Sequence, residues 1–218
     1  MVSRAISVIL AGVALGWVAP ARADETPVSR AKMRDEVRAY YDDEIRAGMV
    51  FVAFGAATAA SGAVLLTRDG DFERGLGWSS LIGGSLTALG GGGYALTVLP
   101  RADHFKTLFD RDPEKFKTEE AEHIAGTDRR FVLYLSGEIA VALAGIGVAT
   151  YGFVKDDDLY KGIGIGVATQ GLGLFVIDLP GAIRAAEYKD RVRRFNPSLA
   201  FSVGGGNRPW GAAIGHRF

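Results

Sequence analysis

Two stretches of this chain stay free of charge for longer than a bilayer is thick. Residues 47–67 are 21 positions without Asp, Glu, Lys or Arg, and residues 75–100 are 26. A helix rises 1.5 Å per residue, so about 20 apolar residues cross a hydrocarbon core roughly 30 Å thick. Residues 131–154 form a third stretch of 24, interrupted only by Glu138, and residues 162–177 a fourth of 16, continued by Asp178. Helices of a water-soluble bundle need a polar stripe, and the first two runs leave none. The expected fold is therefore an all-α membrane protein with four transmembrane helices in two hairpins, 47–100 and 131–180.

Glycine supplies the packing argument. The chain has 30 Gly in 218 residues, about twice the usual share of roughly 7%. In the first run Gly48, Gly55 and Gly62 are seven apart, and in the second Gly77, Gly84 and Gly91 repeat the interval. Glu138, Gly145 and Gly152 do so in the third, and Gly164 and Gly171 in the fourth. Seven residues return to nearly the same helix face. Lipid offers no hydrophobic drive between helices, so close backbone approach along a small-residue stripe takes its place. These ten glycines are the expected helix-packing positions.

The two hairpins read as copies. A shift of 87 carries Phe72 onto Leu159, Gly75 onto Gly162, Gly77 onto Gly164 and Gly84 onto Gly171; upstream, a shift of 90 carries Gly48 onto Glu138 and Gly55 onto Gly145. Leu99 and Pro100 correspond to Leu179 and Pro180, where both helices are expected to end. The result is a pseudo-symmetric four-helix bundle.

Around the hairpins lie polar segments. Residues 24–46 read as an amphipathic juxtamembrane helix. Residues 101–130 form a charged connector broken at Asp112 and Pro113, and residues 181–195 a basic helix. These either lie along the membrane surface or continue the spanning helices beyond it. The tail, 196–218, is glycine-rich and suggests two short strands about a turn.

The first 23 residues read as a signal peptide: Arg4, an uncharged run over 5–19, Pro20, then Ala21, Arg22 and Ala23 before a mature start at Asp24. The alternative is an uncleaved anchor. Export implies a bacterial envelope location, with the inner membrane the expected one, and a cysteine-free chain suits it. Orientation is contested, because 19 of the 25 basic residues lie in the long connectors and tail that a cleaved signal would leave outside.

Candidate chemistry is sparse. Glu138 is the one ionisable group well inside an apolar run. Such a group faces water or a partner, here Gln170 or Thr169, and either carries a proton or cation or serves a structural bond. Glu120 and His123 have Glu-x-x-His spacing, but the second copy that a di-iron site requires is missing, so a solvated face is expected. Asp156, Asp157 and Asp158 lack a calcium loop's pattern and read as a solvated turn. The 162–166 and 90–93 glycine clusters lack the rest of a nucleotide-binding fingerprint, and the three histidines lack zinc spacing. No catalytic motif is present, so neither enzymatic activity nor a cofactor is expected. With 25 Lys+Arg against 25 Asp+Glu, no nucleic-acid partner is expected either.

The stretch FKTLFDRDPEKFKTEEAEHIAGTDRRFVLYLSGEIA, with AYYDDEIRAG before the first run, resembles a family of uncharacterised bacterial four-helix integral membrane proteins. They pair a DP-x-x-F segment and an acidic helix with a Glu in the following span, here Glu138. The resemblance covers roughly residues 38–195 and implies an envelope membrane protein; it transfers no activity or functional residue.

Three functional readings follow. The first is a non-enzymatic structural or interaction subunit in the lipid bilayer, packed through its glycine faces, with a second copy or another membrane subunit as partner. The second is a small channel or transporter using Glu138. The third is an outer-membrane β-barrel, suggested by the signal, the terminal Phe218 and the Gly-x-Gly alternation.

Overall fold

The computed structural model describes residues 26–199. The expected signal segment and the strands of the tail fall outside the described residues. Four helices account for nearly all of the rest: α1 Arg30–Leu65, α2 Asp71–Arg111, α3 Pro113–Lys155 and α4 Asp158–Arg194. They contain 36, 41, 43 and 37 residues. The β-barrel reading is thereby overturned, since the described residues hold no strand beyond one isolated backbone bridge, Val28 to Phe195.

At 1.5 Å per residue each helix runs roughly 54–65 Å, about twice the hydrocarbon thickness. The polar connectors are thus continuations of the spanning helices. Pro100 and Pro180 do not end α2 and α4; both lie inside their helices. A helix-interior proline gives up one backbone bond. Burial on the flanking turns, of Val98 and Ala102 around Pro100 and of Gly181 and Ala182 after Pro180, holds each helix together across it.

The expected break at Asp112 and Pro113 is present. Proline suits the first helical position, and the Asp112 carboxylate accepts the Lys115 amide at 3.0 Å. At the far end of α3, Asp156 adopts φ 52° and closes the helix in the left-handed region. Asp157 then caps α4 by accepting the Tyr160 amide at 3.2 Å, and Lys161 bridges Asp156 and Asp158 at 2.7 Å each.

The helices pair as neighbours in sequence. Antiparallel α1–α2 and α3–α4 make the most extensive contacts, α2 and α4 form a parallel central pair, and the backbones of α1 and α3 stay apart. All four polar segments therefore gather at one end, the head, while both short turns lie at the other, beyond the apolar body.

The head has a core of large side chains. Met33, Val37, Tyr41, Phe109, Phe116, Ile124, Val192 and Phe195 are all but inaccessible. Their rings meet edge-on, as Phe109 and Phe116 do at 5.0 Å, or stacked, as Tyr40 and Tyr188 do at 4.1 Å. Charged contacts bind its rim, with Arg34 to Asp110 at 3.0 Å, and Arg191 to Glu36 and Lys189 to Asp128 alongside.

In the body the rule reverses: glycines are inside and large side chains point out. Leu89 is 74% exposed and Val154 76%. A Cβ added to Gly84 would come 2.6 Å from the Gly55 carbonyl oxygen, and one on Gly62 2.6 Å from that of Gly77. Gly48 and Gly91 oppose each other in the same way, so α1 and α2 meet glycine to glycine every two turns. Between α3 and α4, Gly145 faces the Gly164 carbonyl at 2.8 Å, and Gly171 faces that of Glu138 at 2.8 Å. Gly152 sits against the backbone at the start of α4.

Candidate functional site

Between head and body lies a cavity of about 460 Å³ with walls from all four helices. On the body side it is apolar, with Phe51, Leu86, Gly90, Leu174 and Ile177. On the head side it is polar, with Glu44, Arg101, His123, Thr127, Arg130 and Asp178. The partition follows from the helices, since each wall crosses from an uncharged run into a charged extension at this level.

Glu44 is buried and accepts a hydrogen bond from the Tyr94 hydroxyl. Burial pushes its carboxyl up to about 7, against the pull of Arg184 and Arg101. His123 is pushed the other way, down to about 4, first by burial and then by the guanidiniums of Arg101 and Arg130. At neutral pH its ring is uncharged. Arg101 is half-buried and Arg130 exposed, and neither forms an ion pair or hydrogen bond among the described residues.

Glu120 is not on a solvated face. It is fully buried, and the Tyr41 hydroxyl, from the other outer helix, donates to its two oxygens at 2.9 and 3.0 Å. The hydroxyl of Tyr188 is buried beside the same carboxylate. Burial raises Glu120 to about 8, and the hydroxyls of Tyr41 and then Tyr188 offset part of that rise. Its helical neighbours Phe116 and Ile124, four residues to either side, share this face of α3, and that spacing was the available signal. Likewise Glu44 continues the inward stripe of Met33, Val37 and Tyr40 on α1.

Glu138 and Gln170 are not brought together. Gln170 is buried and donates its amide across the central pair to Thr87 Oγ1 at 2.8 Å. The Glu138 carboxyl meets that of Asp178 on α4 instead, leaving its Oε2 buried without a hydrogen-bond partner. The expected partner was wrong because eight residues on α4 separate Gln170, which faces α2, from Asp178, which faces α3 and the cavity.

Among the described residues no group of three or more His, Asp or Glu side chains is placed to hold a metal ion. The four helices are long and apolar enough to cross a membrane, and at most 33% of any such stretch is buried within the chain. Fold and surface together point to a membrane location. No family model, curated protein or solved structure matches the chain.

Proposed function

We propose that this chain is a non-enzymatic integral membrane protein of the bacterial envelope, a structural or interaction subunit of the inner membrane exported through its N-terminal signal. The observation that carries this is the use of glycine. All ten glycines spaced by sevens have the place of their missing Cβ taken by atoms of a neighbouring helix. That arrangement suits a rigid membrane scaffold. It also means that those faces are filled within one chain, so any partner subunit docks elsewhere.

Duplicated hairpins are supported by the central pair. Gly75 lies against Leu159, and Gly162 lies against Phe72. Each contact is the other's image under the shift of 87 that relates the two halves. The buried polar groups favour a structural reading too, because Glu120 with Tyr41 and Gln170 with Thr87 bond between helices.

The channel or transporter reading draws on Glu138 and Asp178, whose facing carboxyls lie beside the cavity. A single experiment separates the two. In proteoliposomes, Glu138→Gln leaves assembly and ion or proton flux unchanged if the chain is a scaffold; loss of a wild-type flux in that variant would establish the transporter. Sidedness is tested by cysteines introduced at Asp71 and Glu119 in intact cells, which should label from opposite faces.

A further inference from the structure

We propose that the cavity between head and body is a lipid site. It seats one phospholipid of the surrounding membrane, with the phosphate between Arg101 and Arg130 and an acyl chain along Phe51, Leu86, Gly90, Leu174 and Ile177. The inference rests on the reading that the body spans a bilayer, and goes beyond it by assigning a ligand.

Charge complementarity comes first. The acidic groups of the cavity are already engaged: Glu44 with the Tyr94 hydroxyl and in the fields of Arg184 and Arg101, and Asp178 with Glu138. The guanidiniums of Arg101 and Arg130 are the rim groups with no hydrogen bond or ion pair among the described residues. Arg101 is half-buried, with the Glu44 and Glu120 carboxyls acting on it only through space, Arg130 is exposed at the rim, and the guanidinium fork matches phosphate oxygens two at a time. The neutral His123, on the same rim, adds a ring N–H donor without competing charge.

Position and shape agree with that chemistry. The polar rim and apolar wall meet where uncharged helix gives way to charged helix, the level at which headgroups lie. Tyr94 and Tyr134 line the cavity there, as aromatic side chains do at membrane interfaces. From Leu86 to Arg101 along α2 is roughly 22 Å, enough for one leaflet of hydrocarbon, about 15 Å, and a headgroup. A volume of about 460 Å³ accommodates one chain, so the second stays in the bilayer. Leu86 and Tyr134 are exposed at its edge, which gives the lipid a sideways entrance.

The test uses the purified full-length protein in detergent, titrated with phosphatidylglycerol and followed by native mass spectrometry. Wild type should retain one lipid per chain. The double variant Arg101→Gln with Arg130→Gln should lose about tenfold in retention, whereas Arg129→Gln, one residue from the rim, should not. Gly90→Phe should also expel the lipid while leaving both arginines in place. Gly90 lines the cavity and a Cβ there meets no atom within 4 Å, so a ring is introduced at the acyl wall without a Cβ clash; this variant decides the matter if the arginine variant fails to fold. Millimolar inorganic phosphate should leave the adduct intact. Displacement by phosphate alone would replace the lipid with a simple anion site, and equal retention by wild type, the arginine variant and Gly90→Phe would overturn the proposal. Recovery of the folded chain without detergent would instead sink the membrane reading beneath it.

Discussion

The head and the body are made by the same four helices, yet they are packed by opposite rules. In the head, Phe116 and its neighbours turn inward and the surface is charged. In the body, Gly55 and Gly84 turn inward and Leu89 turns outward. The difference lies in the solvent. Water drives large apolar groups together at roughly 25 cal/mol per Å² of buried area, whereas lipid tails solvate leucine as well as another leucine does. What remains for the body is contact between backbones, and only glycine permits it at this spacing.

The comparison is most exposed to a cut in the head core. Phe116→Ala removes a fully buried ring and should cost about 3–5 kcal/mol. The matched truncation Leu89→Ala on the outside of the body should cost within about 0.5 kcal/mol. Denaturant unfolding in detergent measures both, and similar costs at the two sites would dissolve the distinction.

Next in size is an insertion into the body. Gly55→Val brings side-chain atoms onto the backbone of α2 at Ala88, and should cost about 3 kcal/mol or more. Gly147, on the outward face of α3, has no atom within 4 Å of an added Cβ, so Gly147→Val should be tolerated. Thermal melting of the pair provides the check; equal tolerance would mean that the glycine stripes do not set the helix separation.

The smallest effect sharpens the picture of the head. Glu120 is raised to about 8 from an ordinary 4.5, so the folded head prefers its protonated form. Its stabilising contribution is complete below about pH 4.5 and is lost as pH rises to about 8. Glu44, raised to about 7, acts in the same direction. Glu120→Gln keeps an acceptor for Tyr41 but carries no charge. Its melting temperature should match wild type near pH 4 and exceed it by several degrees near pH 9; parallel profiles would place the titration elsewhere.

Which of these features could be read in the sequence follows from their range. The four apolar runs and the glycine intervals are local patterns, visible within one helix. The burial of Glu120 has only the Phe116 and Ile124 spacing to signal it, because segment 114–124 is charged enough to suggest a solvated face, and the hydroxyl that satisfies it belongs to Tyr41, 79 residues earlier. Glu138 was conspicuous among uncharged neighbours, but its partner Asp178 sits at the end of an apolar run, where a carboxylate attracts no notice. Pro100 and Pro180 were legible as helix ends by propensity alone; packing on both turns beside Pro100 and on the turn after Pro180 overrode that rule.

One small contact has a wider consequence. The backbone bridge of Val28 to Phe195, with the Val28 amide donating to Arg194 at 3.0 Å and the Asn196 amide to Val28 at 3.1 Å, brings the two ends of the described chain side by side. The path is therefore close to a ring. Sealed at that seam and reopened at the tight bend between Asp156 and Asp157, the polypeptide would retrace all four rods without severing any. The order in which they are written along the chain is thus separable from the shape that they build.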